Sequence, residues 1–296
     1  PGFGVGVAAW AQSDGTRLNI WASHFGADWA APVLLEQVDQ IAAEPRVALD
    51  AAGNVLAVWT KSDGARNNVY KNLYVVGAGW GTPILVEAND AGSTVGARVA
   101  FDEDGNATAV WSQSDGMRFN IWANRRPPGG TSSTPWGTPV LLETANAGTA
   151  TEPQVAADGD GNVFAVWQQS DGTRLNVWAN RYVAGSGWEG ATLLETDDTG
   201  AAQRPQVGVD DTGHAIAVWL QLDGTGANGI KASDWTPGSG WSAPRALEFE
   251  DGAAVAPRIA VSAGGDAVAV WYQFDGAASD VWANRYIAGE GWRSPA

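Results

Sequence analysis

AVWSQSDGMRFNIWANR, residues 109–125, and AVWQQSDGTRLNVWANRY, residues 165–182, decide the fold of this chain. Apolar and polar side chains alternate with a period of two on either side of a Ser-Asp-Gly step. No 3.6-residue pattern runs through them, so each segment reads as two strands joined by a hairpin. Asp115-Gly116 is the two-residue loop signal, because both residue types tolerate positive φ. With that loop, Gln113 faces Arg118, Trp111 faces Asn120 and Ala109 faces Trp122, and all six share one face of the hairpin.

The unit recurs six times, with its first Trp at Trp10, Trp59, Trp111, Trp167, Trp219 and Trp271, spaced by 49, 52, 56, 52 and 52 residues. A later Trp follows in every copy: Trp29, Trp80, Trp136, Trp188, Trp241 and Trp292. In the third unit four strands are expected near Arg98–Phe101, Ala107–Gln113, Phe119–Arg125 and Val140–Glu143, with DEDGN (Asp102–Asn106) as a second hairpin turn. Four antiparallel strands repeated at that period describe a propeller blade, and radial closure protects sheet edges. The expectation is an all-β, six-bladed β-propeller of about 52-residue repeats, a single domain over residues 1–296. Its terminal blades are incomplete: the first unit starts at the GVGVAAW strand and the last stops at GWRSPA, where the LLE strand is due. Edge strands near Gly4–Trp10 and Val281–Tyr286 would then recruit further chain, a protein partner at this seam, or each other.

Composition bounds the function. Charged residues make 17% of the 296, below the roughly 25% of ordinary globular chains, and 38 Gly with 14 Pro mark a turn-rich protein. Seventeen Trp and 45% apolar residues supply a core and exclude global disorder. A net charge of −16 excludes nucleic acid as a partner, since it repels phosphates. No run approaches 18 apolar residues, and the start PGFGVG lacks the pattern of a signal peptide, so no membrane insertion is expected. Cysteine is absent, which removes disulfides, thiol nucleophiles and thiolate metal sites. An acidic repeat protein of this kind suits the cell surface, the extracellular space or the periplasm.

These units resemble the Trp-rich repeats of bacterial secreted β-propellers and are broadly similar to sialidase and BNR-repeat propellers, over nearly the whole chain. The sialidase Asp-box runs S-x-D-x-G-x-T-W. Here Ser114, Asp115 and Gly116, or Ser170, Asp171, Gly172 and Thr173, are contiguous and the next Trp lies farther along. The resemblance to propeller lectins, with one sugar site per blade or blade junction, is one of architecture.

A Trp face stacks on the apolar side of a pyranose while Asn and Arg hydrogen-bond its hydroxyls. The candidate ligand-binding residues are therefore Arg17, Asn19 and Trp21, then Arg118, Asn120 and Trp122, then Arg174, Asn176 and Trp178. The competing account is that these residues pad blade junctions. The function expected is non-catalytic, multivalent binding of a glycan or cell-surface polysaccharide. A structural scaffold is the second reading and a glycosidase-like enzyme the third.

Other signals are weak. GSGWEG (Gly185–Gly190) fits G-x-G-x-x-G but joins strands and opens no helix, so it is a turn. DEDGN and DGDGN (Asp158–Asn162) lack the twelve-residue ligand spacing of calcium loops, so calcium is not favoured and no cofactor is expected. His24 and His214 have no repeated partner for a metal site or an acid–base pair, and the insertion Pro127–Thr134 carries no acid or base. Glu36, Glu87, Glu143, Glu195 and Glu248 mark one strand end per unit and read as solvated termini.

Overall fold

Each repeat folds into its own antiparallel sheet. The computed structural model describes every residue except 1–5, 37–39, 88–91, 130–133, 135, 146, 197–198, 223–227, 249–251, 275–276 and 296. The start of PGFGVG and the middle of the insertion Pro127–Thr134 thus lie outside the described residues. Strands and turns account for the ordered elements, and no helix is long and apolar enough to cross a membrane.

The chain divides into two compact units, Pro1–Leu141 and Leu142–Ala296. In the first, sheet 1 holds Gly6–Ser13, Leu18–Phe25 and Val33–Leu34. Sheet 2 holds Ala42–Leu49, Val55–Ser62 and Asn67–Val75, with Gly79–Trp80 and Ile84–Leu85 both pairing with the third strand. Sheet 3 holds Thr94–Phe101, Ala107–Ser114, Phe119–Arg126 and Val140–Leu141.

In the second unit, sheet 4 holds Ala150–Ala157, Val163–Ser170, Leu175–Val183, Gly187–Trp188 and Thr192–Leu193. Sheet 5 holds Ala202–Val209, Ala215–Leu222, Asn228–Thr236, Gly240–Trp241 and Arg245–Ala246. Sheet 6 holds Ala253–Val261, Ala267–Phe274, Ser279–Ile287 and Gly291–Trp292. Among the described residues the first strand and the short outer strand occur five times each against six central hairpins, as the repeat reading expects.

The central hairpin corrects one register. Trp111 pairs with Trp122, Gln113 with Asn120 and Ser114 with Phe119, so the loop is the four residues Asp115–Arg118 rather than Asp115-Gly116. A shift of two residues keeps every side chain on its expected face, because alternation has a period of two. The wider loop forms because Asp115 Oδ1 accepts the backbone amides of Met117 and Arg118, at 2.8 and 2.9 Å.

Sheets pack through the second-strand indoles. Trp59, Trp111, Trp167 and Trp219 have no solvent exposure and Trp271 has 2%. Trp111 lies with Ala97, Ala107 and Ala109 of its own sheet against Leu56, Val58, Val69 and Leu73 of sheet 2, and Trp271 repeats this against Ile216, Val218, Leu220 and Ile230 of sheet 5. Small residues beside a large ring let branched side chains of the neighbouring sheet close over it. Each buried indole N–H needs an acceptor. Trp10, Trp111, Trp167, Trp219 and Trp271 donate to the Gln two residues on, at 2.9 to 3.2 Å.

The Asn two residues beyond Tyr70, Trp122, Trp178 and Trp282 donates to a backbone carbonyl 37 or 38 residues back. Asn72, Asn124, Asn180 and Asn284 donate to the carbonyls of Leu35, Val86, Leu142 and Leu247 at 3.0 to 3.2 Å. The first strands carry a bulge, at which Glu44, Glu152, Arg204 and Ala256 hold φ between 53° and 55° and Gly96 holds 67°.

Candidate functional site

The nine residues singled out in the sequence converge in threes on the hairpin tips. At the third-sheet tip, Asn120 donates through Nδ2 to Asp115 Oδ2 at 3.0 Å and accepts from Arg118 Nε at 3.2 Å, while Ser114 Oγ accepts the Gly116 amide. The same box holds Asp14, Arg17 and Asn19, and Asp171, Arg174 and Asn176. These donors hold Asp115 well below the usual carboxylate range, at about 2, the Arg118 amide contributing most. Asp14 and Asp171 lie lower still, led by the hydroxyls of Thr16 and Thr173. Asn19, Asn120 and Asn176 are buried, and the three Arg side chains are about 30% exposed. Trp21, Trp122 and Trp178 stand two residues farther along, half-buried, opposite Trp10, Trp111 and Trp167. The tip polar groups thus serve the turn first, and the Arg outer surfaces remain for contact.

The glutamates are a correction. Glu36, Glu87, Glu143 and Glu195 are 1–4% exposed, where solvated strand ends were expected. Glu36 accepts the Ile20 amide at 2.8 Å, Glu87 that of Val69 at 2.7 Å and Glu248 that of Ile230 at 2.8 Å. A backbone N–H past the end of a two-residue outer strand needs an acceptor, and this carboxylate supplies it. Burial pushes the Glu248 carboxyl up. Glu36 also pairs with the buried Lys61 at 3.3 Å.

Asp102 and Asp158, in the turns weighed as calcium loops, bind their own backbone and the side chains of Asn106 and Asn162 at 2.8 Å. Among the described residues no group of three or more His, Asp or Glu is placed to hold a metal ion.

The feature the sequence did not disclose lies where the third strand of one sheet meets the outer end of the next. There four of the six later Trp pair with the aromatic at the end of their own third strand: Tyr74 with Trp80, Tyr182 with Trp188, Trp235 with Trp241 and Tyr286 with Trp292, edge to face at 5.5 to 5.9 Å, while Trp29 meets Phe25 in a tilted contact and the strand before Trp136 ends in Arg126. The side chain that the preceding sheet sets beside the pair changes from repeat to repeat. His24 stacks on Tyr74 at 4.8 Å. Arg181 lies over Trp235 at 5.2 Å and over Phe164 at 5.7 Å.

At the last junction His214 stacks on Tyr286 at 5.4 Å, near the buried Asp234, which pairs with Arg245 at 3.2 Å. Burial raises the Asp234 carboxyl, and Arg245 and then His214 oppose that rise. Both histidines therefore have aromatic partners. The signal in the sequence was the Tyr closing the third strand one repeat later. Between sheets 4 and 5 the junction opens into a pocket of about 320 Å³, lined by Asn180, Arg181, Glu189, Trp235 and Trp241 among others.

No protein-family model matches the chain, and no curated protein matches it in sequence. Solved structures do match in fold. An ulvan lyase, a polysaccharide lyase bound to a GlcA(1-4)Rha3S fragment, aligns with a TM-score of 0.60 at 9% identity, over 98% of this chain and 89% of its own. The Aleuria aurantia lectin in complex with α-methyl-L-fucoside aligns with a TM-score of 0.52 at 12% identity, over 99% and 94%. A Hadza microbial sialidase gives 0.51 at 10% identity, over 94% of this chain and 66% of its own. At these identities the likeness is one of fold: the chain is an all-β protein of the propeller type, an architecture it shares with carbohydrate-binding and carbohydrate-active proteins.

Proposed function

We propose that this protein is a non-catalytic extracellular or cell-surface recognition module that binds glycan at several of its six repeats, the repeats being the blades of one six-bladed propeller over residues 1–296. The observation that carries the reading is the division of labour within the repeat. Side chains that recur from sheet to sheet are mostly consumed by the fold: the indole–Gln pair, the Asp–Asn bond of the tip, the Asn staple and the buried Glu. The outer junction carries an edge-to-face aromatic pair on four sheets, and the side chain that the preceding sheet sets beside it differs, as His24, Arg181 or Asp234. Aromatic faces beside variable hydrogen-bonding groups are the chemistry of sugar contact, and the tip trios with Trp21, Trp122 and Trp178 supply a second candidate set. The carbohydrate ligands of the lectin and lyase that share the fold support the same class.

A glycan array followed by tryptophan-fluorescence titration tests it, since a sugar against an indole perturbs emission. A blank array across neutral and acidic glycans removes the reading.

One observation favours the scaffold reading as second. On sheet 6, Val281 is 67% exposed and Tyr272 53%, whereas the matching Val177 and Ile230, and Leu220, are 0–5% exposed on sheets 4 and 5. That face suits a protein partner, in line with the seam expected from the repeats.

A further inference from the structure

We propose that the pocket between sheets 4 and 5 binds one uncharged pyranose unit of a polysaccharide, an assignment that rests on the glycan reading above. Its volume, about 320 Å³, is at the small end of the roughly 300–1,000 Å³ usual for small-molecule sites, so it suits one ring better than an extended chain. Trp241 and the part of Trp235 that Arg181 does not cover set indole surface at its wall, which matches the C–H face of a sugar.

The polar groups specify the rest. Asn180 is already committed, donating to the Leu142 carbonyl at 3.0 Å and accepting from the Gly190 amide at 3.0 Å, so it fixes the wall rather than the ligand. Two donors are left over: Arg181 Nε and Trp235 Nε1 are buried with no acceptor among the described residues. A buried donor without a partner is unfavourable, and because both atoms are closed to solvent, a shift of the Arg181 side chain that admits the hydroxyl or ring oxygens of a ligand relieves it. Glu189 lies 3.7 Å from the Arg181 guanidinium and so offsets its charge. The chain's net charge of −16 disfavours a carboxylate or sulfate. A neutral sugar brings both an apolar face and oxygen acceptors without adding a charge. Where Arg181 stands on sheet 4, sheets 3 and 6 also have Arg, as Arg125 and Arg285, sheet 1 has His24 and sheet 5 has Asp234; what sets this junction apart is Trp235, where the corresponding strands of sheets 2, 4 and 6 have Tyr74, Tyr182 and Tyr286.

The test uses the full chain, ¹⁵N-labelled, titrated with cellotetraose, xylotetraose, mannotetraose and maltotetraose, with tetragalacturonate as the acidic comparison. The readout is the indole N–H resonance of Trp235, assigned through Trp235→Phe. At least one neutral tetrasaccharide is expected to shift that resonance saturably. Arg181→Lys, which keeps the cation but loses the Nε donor, is expected to weaken that binding at least tenfold, and Trp241→Phe several-fold. Tighter binding of tetragalacturonate overturns the neutral class. If the Trp235 resonance does not move, or Arg181→Lys binds as the parent does, while the Arg118→Ala, Arg174→Ala double variant loses binding, the pocket assignment falls and glycan recognition at the tips survives. Absence of binding by every probe, together with a blank array, ends both.

Discussion

Trp59 shows what a single change within a repeat entails. Where other units place Gln two residues after the Trp, this one has Lys61, and the Trp59 indole N–H is left buried with no acceptor among the described residues. The lysine instead neutralises Glu36, with both side chains at most 4% exposed. Removing one member of a buried ion pair strands the other charge, so Lys61→Ala should lose about 3 kcal/mol in urea unfolding. Trp111→Ala removes an indole packed among alanines and branched side chains and should cost about 3–5 kcal/mol by the same measurement. Neither loss bears on ligand binding. The pairing of Lys61 with Glu36 joins residues 25 apart on two sheets, which no local pattern reveals.

At the scale of the element, the strained bulge and the hairpin tip each make a prediction. Ala256 holds φ of 54°, left-handed backbone that Gly adopts freely and that the third repeat fills with Gly96. Relief of roughly 1 kcal/mol of strain outweighs the added chain entropy, so Ala256→Gly should raise Tm by about 2 °C in calorimetry. The tip carboxylates set an acid limit. Asp63 and Asp115 are held at about 2 by turn amides, Arg66 and Arg118 leading, below their ordinary value of 3.8. A depressed carboxylate contributes stability that is complete above its unfolded value and is lost as the pH falls through the folded one. Tm should therefore hold down to about pH 4 and drop between pH 4 and 2. The Asp115→Asn, Asp171→Asn pair should start lower and show a shallower drop. The two strands of this hairpin were legible in its alternation. Its loop length was not, because the carboxylate that accepts two backbone amides makes a four-residue turn from a sequence that also fits a two-residue one.

Taken over the whole molecule, repetition turns weak contacts into affinity. If several junctions or tips hold sugar, a second contact to the same polysaccharide becomes intramolecular, and avidity exceeds the single-site affinity by about 10² or more. Surface-immobilised protein should bind the polysaccharide built from the tightest tetrasaccharide at least that much more strongly than the tetrasaccharide itself. Equal affinities would leave a single working site. The face of sheet 6 that exposes Val281 and Tyr272 is a separate matter of protein association, and a concentration-dependent mass in sedimentation that Val281→Lys abolishes would establish it.

The sequence alone determined the six-fold repeat, the all-β class, the central hairpins and the five copies of first and outer strands, because strand alternation and Gly-rich turns are local signals. It also placed the first Trp of every repeat at a sheet interface: Trp59, Trp111, Trp167, Trp219 and Trp271 are buried, whereas Trp10 is only half-buried. Tertiary structure decided the rest. Whether a Glu at a strand end meets water depends on what covers that end, and four that read as solvated are buried, three of the five glutamates being seen to accept a third-strand amide. The Asn staples reach 37 or 38 residues back, to the carbonyl of the residue that follows a short outer strand. The junction pocket brings Arg181 of one sheet onto Trp235 of the next, a distance in sequence that becomes contact once the sheets stack. Alternation reports which face of a strand a side chain occupies; the neighbour lying against that face is chosen by packing.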